Sequence, residues 1–181
     1  MRKGISMQLA SDRLRVREST LADWPAYQRI WTDFARSEYA QYDLPGETEP
    51  DKVRELLQRL LAHGRFYSVL LADSGDMIGY VCFHEAKGTL ELGYCFHSAF
   101  HRRGYAREAC ALLLEALSRE GATRFTAGTA LENLPSVRLL AALGFRQTGT
   151  ERVSFYQDDQ GNDIWFVGGV FERPACSPAE Q

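Results

Sequence analysis

The chain has few cysteines and histidines, no long apolar run and almost no net charge, and each shortage removes a class of protein. No segment of its 181 residues approaches the ~20 apolar residues of a membrane-spanning helix. Its N-terminus has basic residues but lacks the apolar stretch and cleavage site of a secretory signal. The cysteines Cys82, Cys95, Cys110 and Cys176 form no C-x-x-C pair and lie mostly in apolar segments, as the reduced thiols of a cytoplasmic protein do. His63, His84, His97 and His101 occur at no zinc-site spacing, so no metal site is expected. A formal net charge of −3 with interspersed charges leaves no basic arm for nucleic acid. Neither G-x-x-x-x-G-K-[ST] nor a G-x-G-x-x-G after a strand is present, which excludes the common nucleotide fingerprints. No internal repeat or low-complexity tract occurs. What remains, at 45% hydrophobic and 25% charged residues, suits one soluble domain with a substantial core.

Periodicity orders the chain. Leu9 to Glu18 reads as a strand, with Leu14 and Val16 alternating with Arg13, Arg15 and Arg17 on a solvated face. Ser19 or Thr20 caps a helix whose stripe of Trp24, Tyr27, Ile30, Trp31 and Phe34 either packs in the core or walls a substrate pocket. The stretch 36–50 is a long loop with a Pro-Gly turn, and its Tyr39 and Tyr42 are, with Trp31, candidate substrate-binding residues. A helix from Asp51 to Ala62 ends at Gly64. Strands Phe66–Ala72, Met77–His84 and Leu90–Phe96 follow as a meander, turning at Asp73–Asp76 and Lys87-Gly88. After Gly104 the apolar residues Ala109, Leu112, Leu113, Ala116 and Leu117 recur at helical spacing. A strand Arg124–Thr129, a helix Asn133–Leu143 and strands Gln147–Tyr156 and Asp163–Phe171 complete the order. These elements make an α/β fold: a mixed, mostly antiparallel sheet of about seven strands flanked by four helices. Residues 9–173 are expected to form a single domain between a flexible N-terminus, 1–8, and a flexible C-terminal tail, 174–181.

The segment Leu90 to Leu117 changes from strand to basic glycine turn to helix. The first amides of a helix have no partner within it and its dipole is positive there, so Arg102, Arg103 and Gly104 mark an anion site. A loop with two solvated arginines gives the same pattern, and spacing does not separate the two readings.

His101-Arg102-Arg103-Gly104-Tyr105-Ala106 resembles the acetyl-CoA pyrophosphate loop of the GNAT acetyltransferase superfamily, Gln/Arg-x-x-Gly-x-Gly/Ala, with His101 departing from the usual Gln or Arg. Glu91-Leu92-Gly93-Tyr94, Ala106-Arg107-Glu108-Ala109 and Asn133-x-x-Ser136 with Leu139-Leu140 and Leu143-Gly144-Phe145 resemble the RimJ/RimL branch of ribosomal-protein-alanine N-acetyltransferases. The likeness spans Leu9 to Phe171. It implies the GNAT fold, in which the strand holding Glu91 and the strand before Asn133 splay around the pantetheine arm. It implies acetyl-CoA (coenzyme A) as cofactor, bound by Tyr94, Cys95, Phe96, His101, Arg102, Arg103, Gly104, Tyr105, Ala106, Asn133 and Ser136.

Acetyl transfer from a thioester to an amine requires a neutral amine, donors for the developing oxyanion and help for the departing thiolate. Glu91, facing opposite Leu92 and Tyr94 on its strand, is the candidate general base, directly or through a water; an ordinary solvent-facing glutamate is the alternative. Glu108 is a rival carboxylate whose place in the first turns of a helix suits a structural role. The resemblance assigns the oxyanion to backbone amides around Tyr94 to Phe96 and the thiolate to the catalytic candidate Ser136, while Asn133 reads as a helix cap. Cys95 and Cys110 lack the basic neighbour of a covalent nucleophile.

The expected function is direct N-acetyl transfer from acetyl-CoA to a primary amine, with a protein N-terminal amine favoured by the resemblance. The alternatives are a small amine acceptor (amino acid, polyamine or antibiotic), a non-catalytic acyl-CoA-binding module, or a phosphate loop for another nucleotide. An open acidic groove would suit a peptide, and a closed aromatic pocket around Trp31, Tyr39 and Tyr42 a small amine. No nucleic acid or membrane partner is expected. The chain is read as a monomer or a homodimer, since a strand of the final hairpin has an edge that a second copy could pair with.

Overall fold

A computed structural model describes residues 7–44, 46–86 and 88–175. Most of the expected loose ends, 1–6 and 176–181, and Lys87 of the expected turn lie outside the described residues. In chain order the elements are β1 (Gln8–Ala10), β2 (Leu14–Glu18), α1 (Trp24–Phe34), α2 (Pro50–His63), β3 (Arg65–Leu71), β4 (Met77–Ala86), β5 (Thr89–Phe96), α3 (Tyr105–Arg119), β6 (Arg124–Ala130), α4 (Leu134–Ala142), β7 (Arg146–Gln157) and β8 (Asp163–Pro174). They form one eight-stranded sheet in the order β1-β2-β3-β4-β5-β6-β8-β7. Four helices flank it, as the periodicity indicates.

Alternation along the strands sends side chains to two cores, one on each face of the sheet. Leu92 and Phe96 of β5 join Leu113, Leu117 and Leu140 under α3 and α4. Cys95, on the other face of β5, packs with Tyr27, Ile30, Val53 and Leu57 of α1 and α2.

Two boundaries differ from the sequence reading. The expected first strand is broken at Ser11, whose hydroxyl accepts from the amides of Arg13 (3.3 Å) and Leu14 (3.0 Å) and folds the chain into a tight turn. The halves pair antiparallel, Gln8 opposite Arg17, which adds the eighth strand and brings Gln8 into the sheet. At the other end β8 runs on through Pro174, paired with Arg124 of β6, so the tail begins later than expected. Pro174 fits because β7 has already ended opposite Glu172, leaving no partner there for an amide.

The feature that positions the site is the junction of β5 with β6. These parallel neighbours pair only at Leu90–Phe125 and Glu91–Thr126. Beyond Glu91 they separate, while β5 stays bonded to β4 as far as Phe96 and β6 to β8 as far as Ala130. A wedge therefore opens toward the carboxyl ends of both strands, where α3 and α4 begin. Crevices at such strand ends are the usual ligand sites of α/β sheets.

Candidate acyl-transfer site

The turn between β5 and α3 is shaped for an anion. Arg102 has φ +59° and Gly104 φ +81°, and α3 starts at Tyr105 with Gly104 as its N-cap. Left-handed residues interspersed in a turn direct successive amides to one side. Among the described residues none accepts a hydrogen bond from the amides of Arg102, Arg103, Gly104, Tyr105 or Ala106. A non-glycine residue held at positive φ is strained, and such strain persists where the surroundings enforce it. The His101 ring turns away from this array: its Nε2–H donates to the carbonyl of Phe96 at 2.7 Å. That contact pins the turn to the end of β5 and takes the side chain out of the position expected of a cofactor contact.

Glu108 is part of the scaffold of this turn. One carboxylate oxygen accepts from the Ser11 hydroxyl at 2.5 Å. The other accepts from Arg13 Nε at 2.9 Å and also pairs with Arg13 Nη2. Burial works to raise the Glu108 pKa, but the bonds from Ser11 and Arg13 outweigh it and hold the carboxyl below its ordinary value. Arg13 Nη1 reaches the carbonyl of Arg103 at 3.0 Å, and its guanidinium lies over the Tyr105 ring, 4.9 Å from the centroid. Arg13 and Arg15 are exposed, as the alternation indicates, while Arg17 is half-buried and clasps Asp23 at 2.6 and 2.8 Å.

Within the wedge, Tyr94 and Ser136 meet across the gap, their hydroxyls sharing a hydrogen bond of 2.7 Å. Burial pushes the Tyr94 pKa up despite the bond from Ser136, so the phenol stays protonated. Asn133 is the N-cap of α4 and accepts from the Ser136 amide at 3.3 Å, the capping role its position indicates. The His97 amide donates to Ile78 of β4. Alternation then turns the amides of Phe96 and Tyr94 to the opposite edge of β5, facing the gap that β6 has left.

Glu91 occupies the point where the strands part, on the sheet face opposite Tyr94 and Ser136. It is exposed, and its Oε1 is 4.0 Å from where a Cβ on Gly128 of β6 would stand. The two catalytic candidates thus approach the gap from opposite faces.

The aromatic candidates divide. Trp31 is 5% exposed, donates from Nε1 to Tyr80 at 3.0 Å and lies beneath Gly46, where a Cβ would come within 2.7 Å of its ring. It is a core residue, in keeping with the helical stripe, and not the wall of an open pocket. Tyr42 packs edge-on against Phe166, 5.3 Å between centroids, and Tyr39 is half-buried in the same loop. Tyr156 donates to the carbonyls of Ala40 (3.1 Å) and Asp43 (2.8 Å), tying that loop to the β7–β8 hairpin. Asp33 at the end of α1 accepts from the amide and the hydroxyl of Ser98, both at 2.7 Å, and so fixes the chain leaving β5. Ser11, Arg13, Asp33 and Tyr156 carry no local signal, since each acts on a residue distant in sequence.

Burial raises the thiols of Cys95 and Cys110 far above their ordinary pKa and that of Cys82 to about 12, which leaves them poor nucleophiles. A separate concavity of about 900 Å³, bordered by Arg65, Glu85, Glu120 and Arg124, lies where β5 and β6 begin and are still paired. None of the residues of the glycine turn, nor Tyr94 or Ser136, borders this cleft.

Residues 13–146 match the family described as the acetyltransferase (GNAT) domain. The uncharacterized N-acetyltransferase YnaD of Bacillus subtilis is 29% identical over 163 residues, 88% of this chain and 92% of that protein. Phosphinothricin N-acetyltransferase of Streptomyces viridochromogenes is 25% identical over 90% of each chain. The fold is also similar to that of RimL, a ribosomal L7/L12 alpha-N-protein acetyltransferase solved with coenzyme A, with a TM-score of 0.78 and 17% identity over 93% of this chain and 98% of that one. With the glycine turn, the splayed strands and a matching domain over most of its length, the chain belongs to the GNAT acetyltransferase family and is an N-acetyltransferase.

Proposed function

We propose that this chain moves an acetyl group from acetyl-CoA directly to a primary amine, and that the amine is a peptide or protein N-terminus. The observation that carries the cofactor half of this reading is the run of amides from Arg102 to Ala106 with no acceptor among the described residues, at the start of α3. Those amides, with the positive end of α3, would hold the pyrophosphate. Bound acetyl-CoA supplies the activated acetyl thioester.

The chain's own groups divide the remaining tasks. The amides of Tyr94 and Phe96 stabilise negative charge on the acyl oxygen. Ser136, held by Tyr94, donates to the departing sulfur. Glu91 takes the proton from the incoming amine, directly or through a water. An α-amine titrates near ~8 and a lysine near ~10.4, so an N-terminus demands less of that base. The acceptor half is supported by the exposure of Glu91 and by Trp31 lying in the core, with Tyr42 packed on Phe166.

A small amine is the second reading, supported by the relative named for phosphinothricin. Turnover of acetyl-CoA against unblocked peptides, polyamines and amino acids separates the two. Peptides should give the highest kcat/KM. A preference for a free amino acid or polyamine would transfer the assignment to the small-amine class.

A further inference from the structure

We infer that Arg13 is a positioning residue for coenzyme A, which sets the pyrophosphate turn from 90 residues away in sequence; this rests on the cofactor reading above. A turn that offers its amides to a ligand must send its carbonyls elsewhere and find donors for them. Arg13 Nη1 supplies that donor to Arg103 at 3.0 Å, while Nε holds Glu108 of the first helical turn at 2.9 Å. One planar fork therefore spans Gly104, bonding on one side to the turn and on the other to the helix. Its other anchor is short: Arg13 follows the Ser11 turn between β1 and β2, and Ser11 binds the second oxygen of Glu108 at 2.5 Å.

The pairing also solves an electrostatic problem. Glu108 lies in the first turn of α3, close to where a diphosphate would sit, and an unpaired carboxylate there would repel it. Arg13 neutralises the carboxylate without occupying the amides. A lysine would keep the charge but not reach both partners, because it is a single point donor.

Arg17 provides a control, being four residues on, in the strand that Arg13 leads into, and engaged in its own two-bond pair with Asp23, away from the turn. The test is the Kd of coenzyme A by calorimetry on wild type, Arg13→Ala, Arg13→Lys and Arg17→Ala, with the melting temperature of each. Arg13→Ala removes the charge-assisted bonds that hold both sides of the turn and is expected to raise Kd by about ten- to a hundredfold. Arg13→Lys should recover little of that, and Arg17→Ala should lower the melting temperature with an unchanged Kd. In turnover, Arg13→Ala should raise KM for acetyl-CoA and leave KM for the amine as it was. A wild-type Kd in folded Arg13→Ala, or an equal loss in Arg17→Ala, overturns the inference. If Arg13→Ala does not fold, a wild-type Kd in Arg13→Lys does so. Failure of the wild type to bind coenzyme A would instead remove the cofactor reading itself.

Discussion

At the residue scale, the proposed chemistry rests on two side chains held very differently. Ser136 is fixed by its bond to Tyr94 and by the Asn133 cap, whereas Glu91 is exposed at the point where β5 and β6 part. Replacing Ser136 with Ala should reduce kcat by about tenfold or more, as loss of one transition-state donor does, with little change in KM for acetyl-CoA. The same change strips a partner from the half-buried Tyr94 phenol and should cost about 1–2 kcal/mol in urea denaturation. Tyr94→Phe separates these effects, since it removes the phenol and leaves the serine hydroxyl free to meet the sulfur. Glu91 stood out in the sequence as a candidate because a carboxylate within an apolar alternating strand invites explanation, although a solvent-facing glutamate gives the same pattern. Arg13 did not, because it reads as one of three alternating arginines and its partner Glu108 is 95 residues away. Trp31 shows another limit: its helical stripe favours the core but leaves a pocket wall open, and the Tyr80 bond and the cover of Gly46 place it in the core.

At the element scale, the glycine turn and the helix after it follow from local chemistry and were readable as such. Gly104 sits at φ +81°, where a Cβ would meet only the tip of Arg13 at 3.6 Å. The difficulty of substitution is therefore conformational and not steric. Gly104→Ala should cost about 1–2 kcal/mol by forcing an L-residue into the left-handed region, and weaken coenzyme A binding as the turn relaxes. Comparing chemical denaturation with calorimetry would show both. The wedge, in contrast, could be named only through resemblance. Whether β5 and β6 stay paired after Glu91 depends on inter-strand register, and period-2 patterning within each strand is silent on it. The split of the first strand was also hidden, since the Ser11 side chain overrides an alternation that otherwise runs on unbroken.

At the scale of the whole molecule, the sheet separates two approaches to one gap. The helices α3 and α4 bring the anion turn and Ser136 to one face, while Glu91 opens on the face covered by α1 and α2. Carboxylate contacts hold this arrangement, locally from Asp23 to Arg17 and at long range from Asp33 to Ser98 and from Glu108 to Ser11 and Arg13. Burial alone would raise all three carboxyls, yet their bonds outweigh it and each pKa lies below its ordinary value. A depressed folded-state pKa gives stability that is fully present above the unfolded value and lost as pH falls through the folded one. The urea midpoint should therefore be level across neutral pH and fall below about pH 4, where ordinary carboxylates begin to protonate. A midpoint that declined already between about pH 7 and 5 would contradict this carboxylate origin.

The most direct test of the account is thiol release from acetyl-CoA with a peptide bearing a free N-terminus, run beside the same peptide blocked at that amine and repeated with Glu91→Gln. We expect release with the free peptide only, and a loss of about a hundredfold or more in kcat for Glu91→Gln, the range of a removed general base, with the coenzyme A Kd unchanged. Equal release with the blocked peptide, or full activity in Glu91→Gln, would contradict the assignment of the wedge and its carboxylate to amine acetylation.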